Sequence, residues 1–283
     1  MIAHREPHID SHKELKDLRI CIKGAGDLAT GVAIRLYGAG FTRILMLETE
    51  TPMSVRRAVS FSEAVYLPEK IVEGVLAKRV SQPEQIETAW KAGWIPVMVD
   101  PEWHILKSLG FDVVVDAIVA KRNLGTRMTD AHLVIGLGPG FSASSDVHRV
   151  VETHRGHHLG RVIRKGEAIP NTGIPGPIGG FDVERVLRSP ALGIFTTNLD
   201  IGDRVTQGQI IGEVAGVPVQ TQIEGIVRGL LRNSTPVNRG TKLGDIDPRG
   251  ESSACRLVSD KARAIGGGVL EAILETFMRT QNT

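Results

Sequence analysis

The sequence predicts an α/β chain in which a doubly wound, mostly parallel sheet is followed by a duplicated β-rich domain and a closing C-terminal helix. Three observations carry this reading. Through the first 145 residues short apolar runs alternate with helix-period runs, a pattern that needs crossover connections and therefore a parallel sheet. The composition then turns polar and rich in Gly and Pro. Beyond that, residues 193–214 overlay residues 225–246 at a constant offset of 32 without a gap. The 283 residues suit two domains, and 41% hydrophobic with 23% charged residues excludes a disordered or fibrous chain.

The elements follow in order. Residues 1–17 are polar and read as a mobile arm. A Rossmann-like nucleotide-binding domain over 18–145 starts with an apolar strand from Leu18 to Ile22, a glycine turn, and a helix carrying Val32, Ala33, Leu36 and Tyr37 at helical spacing. Arg43–Leu47 is the next strand, with Glu48 at its end. The run from Val59 to Tyr66 alternates like a strand, 83–93 reads as a helix, 94–100 as a strand, 101–110 as a short helix, 111–120 as a buried strand, and 131–140 as a strand running into glycines. Residues 146–190 form a connecting segment; its stretch 166–180 holds five Gly and three Pro, which no helix survives.

In the repeat over 191–250, Gly193/Gly225, Val205/Val237, Gly208/Gly240 and Gly212/Gly244 are identical pairs. The arrangement resembles the barrel-sandwich domain of biotinyl and lipoyl carriers. Those carriers modify a lysine in the hairpin between the halves, but residues 215–224 (AGVPVQTQIE) hold none, so neither biotin nor lipoate is expected. Residues 251–283 close the chain with a helix packed back on the body. Gly266, Gly267 and Gly268 cost it about 1 kcal/mol each relative to Ala, and close backbone approach or an anion-binding helix start would explain them.

Function classes narrow from composition. The formal charge is +2 with scattered basic residues, and only 12 residues are aromatic, so nucleic acid is not suggested. Two cysteines make no disulfide framework, and no apolar run is long enough to span a membrane; a cytoplasmic location without membrane contact is expected. The chain could form a homo-oligomer.

The residues that could carry chemistry begin with Gly24, Gly26 and Ala29, a G-x-G-x-x-A between strand and helix, with Glu48 placed 22 residues beyond Gly26. Gly24 permits the turn, Gly26 admits a pyrophosphate to the backbone, Ala29 allows close packing, and Glu48 can take ribose hydroxyls. NAD or another nucleotide is the ligand this implies; the alternative is a turn that binds nothing. Asp27 is discordant, since its carboxylate at the helix start repels a pyrophosphate unless a cation intervenes or it only caps. Gly136, Gly138 and Gly140 end a strand and are followed by Ser142, Ser144, Ser145 and Asp146, which suits an anion or a plain loop exit. Lys121, Arg122 and Asn123 follow the strand ending at Asp116 and could hold a phosphate or carboxylate. Asp146, His148, Glu152 and His154 would share a strand face, but lack a specific metal spacing, so no metal site is expected. Ser259 and Asp260 read as helix caps, and Cys255 as a small buried hydrophobe or a reactive thiol. No catalytic residue is defined by spacing.

Taken together, IKGAGDLATGVAIRL, VRRAVSFSEAVY, VDAIVAKRN, IGLGPGFSASSDVHRVVETHRGHHLGRVI, PNTGIPGPIGG, GDIDPR and SDKARAIGGGVLEAIL resemble the YqeB-type accessory proteins of selenium-dependent molybdenum hydroxylases, over about residues 18–275. The resemblance implies a role in maturing molybdenum enzymes of the xanthine dehydrogenase type, with the hydroxylase as partner and a nucleotide or molybdenum cofactor dinucleotide as ligand. One departure stands out: where the family's strand-end motif has an Arg-Met pair, this chain has Ile118 and Val119, so a ligand-binding role there would pass to Lys121 or Arg122. The readings left beside it are an NAD-dependent oxidoreductase of a small substrate and a binding-only chaperone of the hydroxylase.

Overall fold

The computed structural model describes residues 14–173, 176 and 178–279. Residues 1–13 of the expected arm lie outside them, and Leu15–Asp17 form a single 3-10 turn. The chain then runs β1 (Ile20–Lys23), α1 (Asp27–Gly38), β2 (Ile44–Glu48), β3 (Lys70–Val72), β4 (Val75–Val80), α2 (Glu84–Lys91), β5 (Ile95–Val99), α3 (Ile105–Leu109), β6 (Val113–Asp116) and β7 (Leu133–Leu137). After these come β8 (Ser142–Ala143), β9 (Arg149–Val151), β10 (Val162–Ile163), β11 (Gly166–Glu167) and β12 (Val186–Arg188).

One mixed sheet takes the order β10-β9-β7-β6-β1-β2-β5-β4-β3. From β9 to β4 all neighbours are parallel, and only the outermost strands β10 and β3 pair antiparallel. The central strands are near-continuous apolar runs because both faces are covered. Ile20, Ile22, Ile44, Met46, Val113 and Val115 point to a core shared with Val32 and Leu36 of α1. Cys21, Leu45, Leu47 and Val114 point to the opposite core, with Ile86 and Trp90 of α2 and Ile105 of α3. The sheet reaches into the expected connecting segment, since β9 and β10 fall within 146–190.

The strand expected over Val59–Tyr66 does not form. Arg57–Val59 and Phe61–Val65 are 3-10 turns. Local side-chain bonds replace the ladder there: the Ser60 hydroxyl donates to Arg56 O (2.9 Å) and the Phe61 N–H donates to Thr30 Oγ1 (2.8 Å). Apolar alternation is met instead by burial of Val59, Phe61, Ala64 and Val65 in the core.

The repeat builds two four-stranded antiparallel sheets from β13 (Gly193–Thr196), β14 (Arg204–Val205), β15 (Ile210–Val214), β16 (Val217–Gln220), β17 (Gly225–Leu230), β18 (Thr235–Val237) and β19 (Lys242–Asp247), with β12 completing one of them. The halves exchange strands: Gly193 of the first pairs with Val237 of the second, and Gly225 of the second pairs with Val205 of the first. These two pairs are related by the 32-residue offset read from the sequence. Phe195, Val205, Val214, Val227, Val237 and Ile246 share the core between the sheets.

Helix α4 (Asp260–Arg279) runs unbroken through its three glycines and packs on α1. Because it starts at Asp260, the glycines are interior and cannot form an anion-binding helix start. Close approach accounts for two of them: a Cβ on Gly266 would lie 3.0 Å from Gly31 O, and one on Gly268 would lie 2.1 Å from Gly160 O. Among the described residues no helix is long and apolar enough to cross a membrane.

Candidate functional site

From β1 the chain crosses to β2 on one side, while β6 pairs with β1 on the other. Such a reversal leaves a crevice at the carboxyl ends of the strands, where open parallel sheets place ligands. A cleft of about 1050 Å³ opens there, between this sheet edge, the β domain and the start of α4.

Its floor is the glycine turn. Gly24 has φ +91°, and a Cβ there would lie 3.2 Å from Ala117 O, so the turn needs glycine both for its backbone and for its neighbour. Gly26 is the N-cap of α1 with ordinary φ, and the nearest atom to a Cβ would be Ser54 Oγ at 3.6 Å; the position opens on the cleft. No side chain caps α1, which leaves its first N–H groups to a ligand or water. Both Glu48 oxygens engage backbone N–H groups, Oε2 that of Ala25 and Oε1 that of Thr49, each at 2.9 Å. Asp27 borders the cleft, and its charge opposes the lowering of the Arg56 and Lys261 pKa values by burial.

The loop after β6 forms one wall. Val119 (φ +58°) and Lys121 (φ +63°) both border the cleft in left-handed conformations, costly for any residue other than Gly and most of all for a β-branched one. A buried polar network holds that loop. Lys23, fully buried, donates from Nζ to Thr126 Oγ1 (2.8 Å) and Asp130 Oδ2 (2.9 Å) and lies 3.9 Å over the Trp103 ring. The Thr126 hydroxyl donates in turn to Asp116 Oδ2 at 2.6 Å. Burial pushes the Asp116 pKa above the usual carboxylate range, against these hydrogen bonds and the Lys23 charge. Asn123 is a strut: its Oδ1 accepts the Gly125 and Thr126 N–H groups.

Gly24, Gly26, Asp27, Glu48, Ile118, Val119, Lys121, His154 and Ser259 thus border the cleft, while the other residues singled out from sequence do not. Ala29 is buried in α1. Gly136 lies inside β7 against Phe141, Gly138 against Thr153, and Gly140 (φ +106°) would place a Cβ 2.5 Å from Arg122 N, which locks the two loops together. In the histidine-rich segment His148 Nδ1 accepts the Val134 N–H (3.0 Å), and Glu152, 2% exposed, accepts the His154 and Ile169 N–H groups; of its polar residues Thr153, His154 and Arg155 reach the cleft. Among the described residues no group of three or more His, Cys, Asp or Glu is placed to hold a metal. Cys255 is buried, and burial raises its pKa, unlike a reactive thiol.

Apart from Ser259 and Lys261 at the helix start, the far wall was not read from the sequence. It consists of Arg56 from the turn before the 3-10 segment, Arg185, Arg228, Lys242 and Asp245 from the β domain, and Ser259 and Lys261 at the start of α4. Ser259 Oγ accepts the Ala262 N–H at 3.1 Å and is the cap; Asp260 instead forms a two-pronged ion pair with Arg155 (2.7 and 3.1 Å). That bond holds the Asp260 carboxyl at about 2. Lys261 is half-buried without an ion pair among the described residues, and desolvation lowers its pKa. Several of these residues sit in stretches already notable in the sequence, Arg56 in VRRAVSFSEAVY and Asp245 in GDIDPR.

The chain is 50% identical over 255 residues to the Escherichia coli K12 protein named "Uncharacterized protein YqeB", an alignment covering 90% of this chain. It belongs to the YqeB family. It spans about half the length of that relative, 47%. No family model matches. Among solved structures, TcdA (CsdL) is similar over 95% of this chain and 89% of its own at TM-score 0.36 and 12% identity. An aspartoacylase family protein from Mesorhizobium loti is similar over 72% of this chain and 55% of its own at TM-score 0.24 and 11% identity.

Proposed function

We propose that this family member binds a nucleotide in the cleft, through a Rossmann-like first domain, and that it serves the maturation of a selenium-dependent molybdenum hydroxylase of the xanthine dehydrogenase type in the cytoplasm. The observation that carries the binding reading is the glycine turn: an uncapped helix N-terminus and the open Gly26 position face the cleft at the point where the strand order reverses. The pyrophosphate of NAD, of another nucleotide or of a molybdenum cofactor dinucleotide would lie against Gly24–Gly26. Glu48 Oε2 keeps a lone pair for a ribose hydroxyl, and the carboxylate charge disfavours a 2′-phosphate. The maturation role rests on the resemblance in motifs, and the β domain, read as a barrel-sandwich hybrid, would be the face toward the hydroxylase.

Calorimetry with NAD, ATP and a molybdopterin dinucleotide tests the binding. Gly26→Asp is a fair probe, because the backbone there suits any residue and a Cβ has room, so the variant folds while its carboxylate occupies the pyrophosphate position. Binding as tight as in the parent refutes the site. For the role, deletion of the protein should leave the hydroxylase polypeptide abundant and its activity low; a fully active, cofactor-replete hydroxylase refutes it. One observation favours a second reading, an oxidoreductase of a small substrate: Lys261, without an ion pair among the described residues and with its pKa lowered by burial, would supply the cleft with a proton donor. Turnover of a small substrate with NAD and the purified protein alone would decide for it.

A further inference from the structure

The nucleotide reading leaves the positive far wall unexplained. Arg56 is 6% exposed and donates from Nη2 to the carbonyls of Cys255 and Leu257, each at 3.1 Å, while its Nε and Nη1 are buried without a hydrogen-bond partner among the described residues. The Nε atoms of Arg185 and Arg228 are also buried without hydrogen bonds among the described residues. Asp245 is the carboxylate shared by this group, 3.5 Å from Arg185 Nη1, 3.6 Å from Arg228 Nη1 and 3.5 Å from Lys242 Nζ. All three separations exceed those of good charge-assisted hydrogen bonds, and Asp245 Oδ1 accepts none. Asp247 is claimed by Arg249 at 2.7 and 2.9 Å and lies 3.8 Å from Arg228 Nε, beyond hydrogen-bond reach. Lys261 adds a further cation, opposed by the charges of Asp27 and Glu152.

Buried guanidinium nitrogens without partners are costly, and a network half satisfied is worse than an apolar core. Three cations loosely arranged around Asp245, with Asp247 distant from Arg228 and held by Arg249, lack an acceptor rich in oxygen and charge. Carboxylates answer this less well than a tetrahedral dianion, whose several oxygens can meet Arg56, Arg228 and Lys261 together. We propose that the far wall is an oxyanion site for a phosphate-class dianion. Its two sources are a free oxyanion and the terminal phosphate of a bound nucleotide, and only the second rests on the nucleotide reading.

The test is calorimetry of the full chain with inorganic phosphate. One phosphate per chain should bind the parent, with affinity about 10- to 100-fold lower in Arg228→Gln and lower in Lys242→Gln, and higher in Asp245→Asn, where the competing carboxylate is neutral. Lys242→Gln, at a side chain 42% exposed, folds even if Arg228→Gln does not. Lys107→Gln on the exposed surface of α3 should bind as the parent does. No binding by the parent, or binding indifferent to Arg228→Gln, Lys242→Gln and Asp245→Asn, overturns the proposal. Competition between phosphate and ADP assigns the site to a nucleotide's own phosphate, and a ternary complex assigns it to a free oxyanion; both support the site. Phosphate bound where no nucleotide binds refutes the nucleotide reading alone. Nucleotide bound, lost in Gly26→Asp and indifferent to Arg228→Gln, with no phosphate bound, refutes the oxyanion site alone.

Discussion

Three adjacent glycines in α4 should respond to alanine with different signs. At Gly267 nothing lies within 4 Å of an added Cβ, so Gly267→Ala gains the helix-propensity difference of about 0.8–1 kcal/mol. At Gly268 the Cβ would lie 2.1 Å from Gly160 O and 2.9 Å from Val151 Cγ1; a backbone carbonyl cannot turn aside as a side-chain tip can. Overpacking of about 1–3 kcal/mol, toward its upper end here, outweighs the propensity gain and leaves Gly268→Ala about 1–2 kcal/mol less stable. Gly266→Ala meets Arg35 Cβ at 2.9 Å and Gly31 O at 3.0 Å and should fall between the two. Urea unfolding at constant m reads all three from their midpoints. The consequence reaches the cleft, because the Gly160 N–H donates to Glu152 O (2.9 Å) and the Glu152 side chain holds the backbone of His154 and Ile169. Gly268→Ala should therefore weaken ligand binding at the Arg155 side, whereas Gly267→Ala should not. Equal midpoints for the Gly267 and Gly268 variants would refute the close-approach argument.

Lys23→Met should cost about 3 kcal/mol, the lower end for breaking a buried pair, because its partner Asp130 keeps 20% of its side chain exposed; a loss below about 1 kcal/mol by urea unfolding counts against the Lys23 network. The Asp260 carboxyl, held at about 2, contributes stability at neutral pH that is lost as pH falls from the usual carboxylate range through that value. Arg155→Ala should return it toward the ordinary range in an NMR carboxyl titration, and an unmoved pKa would exclude Arg155 as the cause. Intact mass should show neither biotin nor lipoate on residues 191–250, since 215–224 offers no lysine; either added mass there overturns the expectation.

What the sequence made legible is what period and turn chemistry encode. Apolar runs such as ILMLE and VVVD mark strands covered on both faces, and Gly24 and Gly26 announce themselves between a strand and a helix. The 32-residue offset survives in the strand pairs Gly193–Val237 and Val205–Gly225, because a duplicated unit that exchanges strands keeps its register in both copies. Alternation failed at Val59–Tyr66, where hydroxyls of Thr30 and Ser60 give the backbone an alternative to a ladder; the partner Thr30 lies 31 residues before Phe61, out of reach of any local rule. The cleft's far wall was hidden for the same reason. Arg56, Arg185 and Arg228 stand far apart in the sequence with no spacing that links them, and only the closure of the β domain and α4 over the sheet makes them line one cleft with Lys261. A local signal existed for one of the missed residues. Lys23 ends the apolar strand directly before the glycine turn, and a lysine in a strand covered on both faces must carry its partners into the core; Thr126 and Asp130, more than a hundred residues on, are those partners. The loop that brings them also carries Val119 and Lys121 in left-handed conformations, so the buried lysine at β1 fixes the strained wall of the cleft at β6.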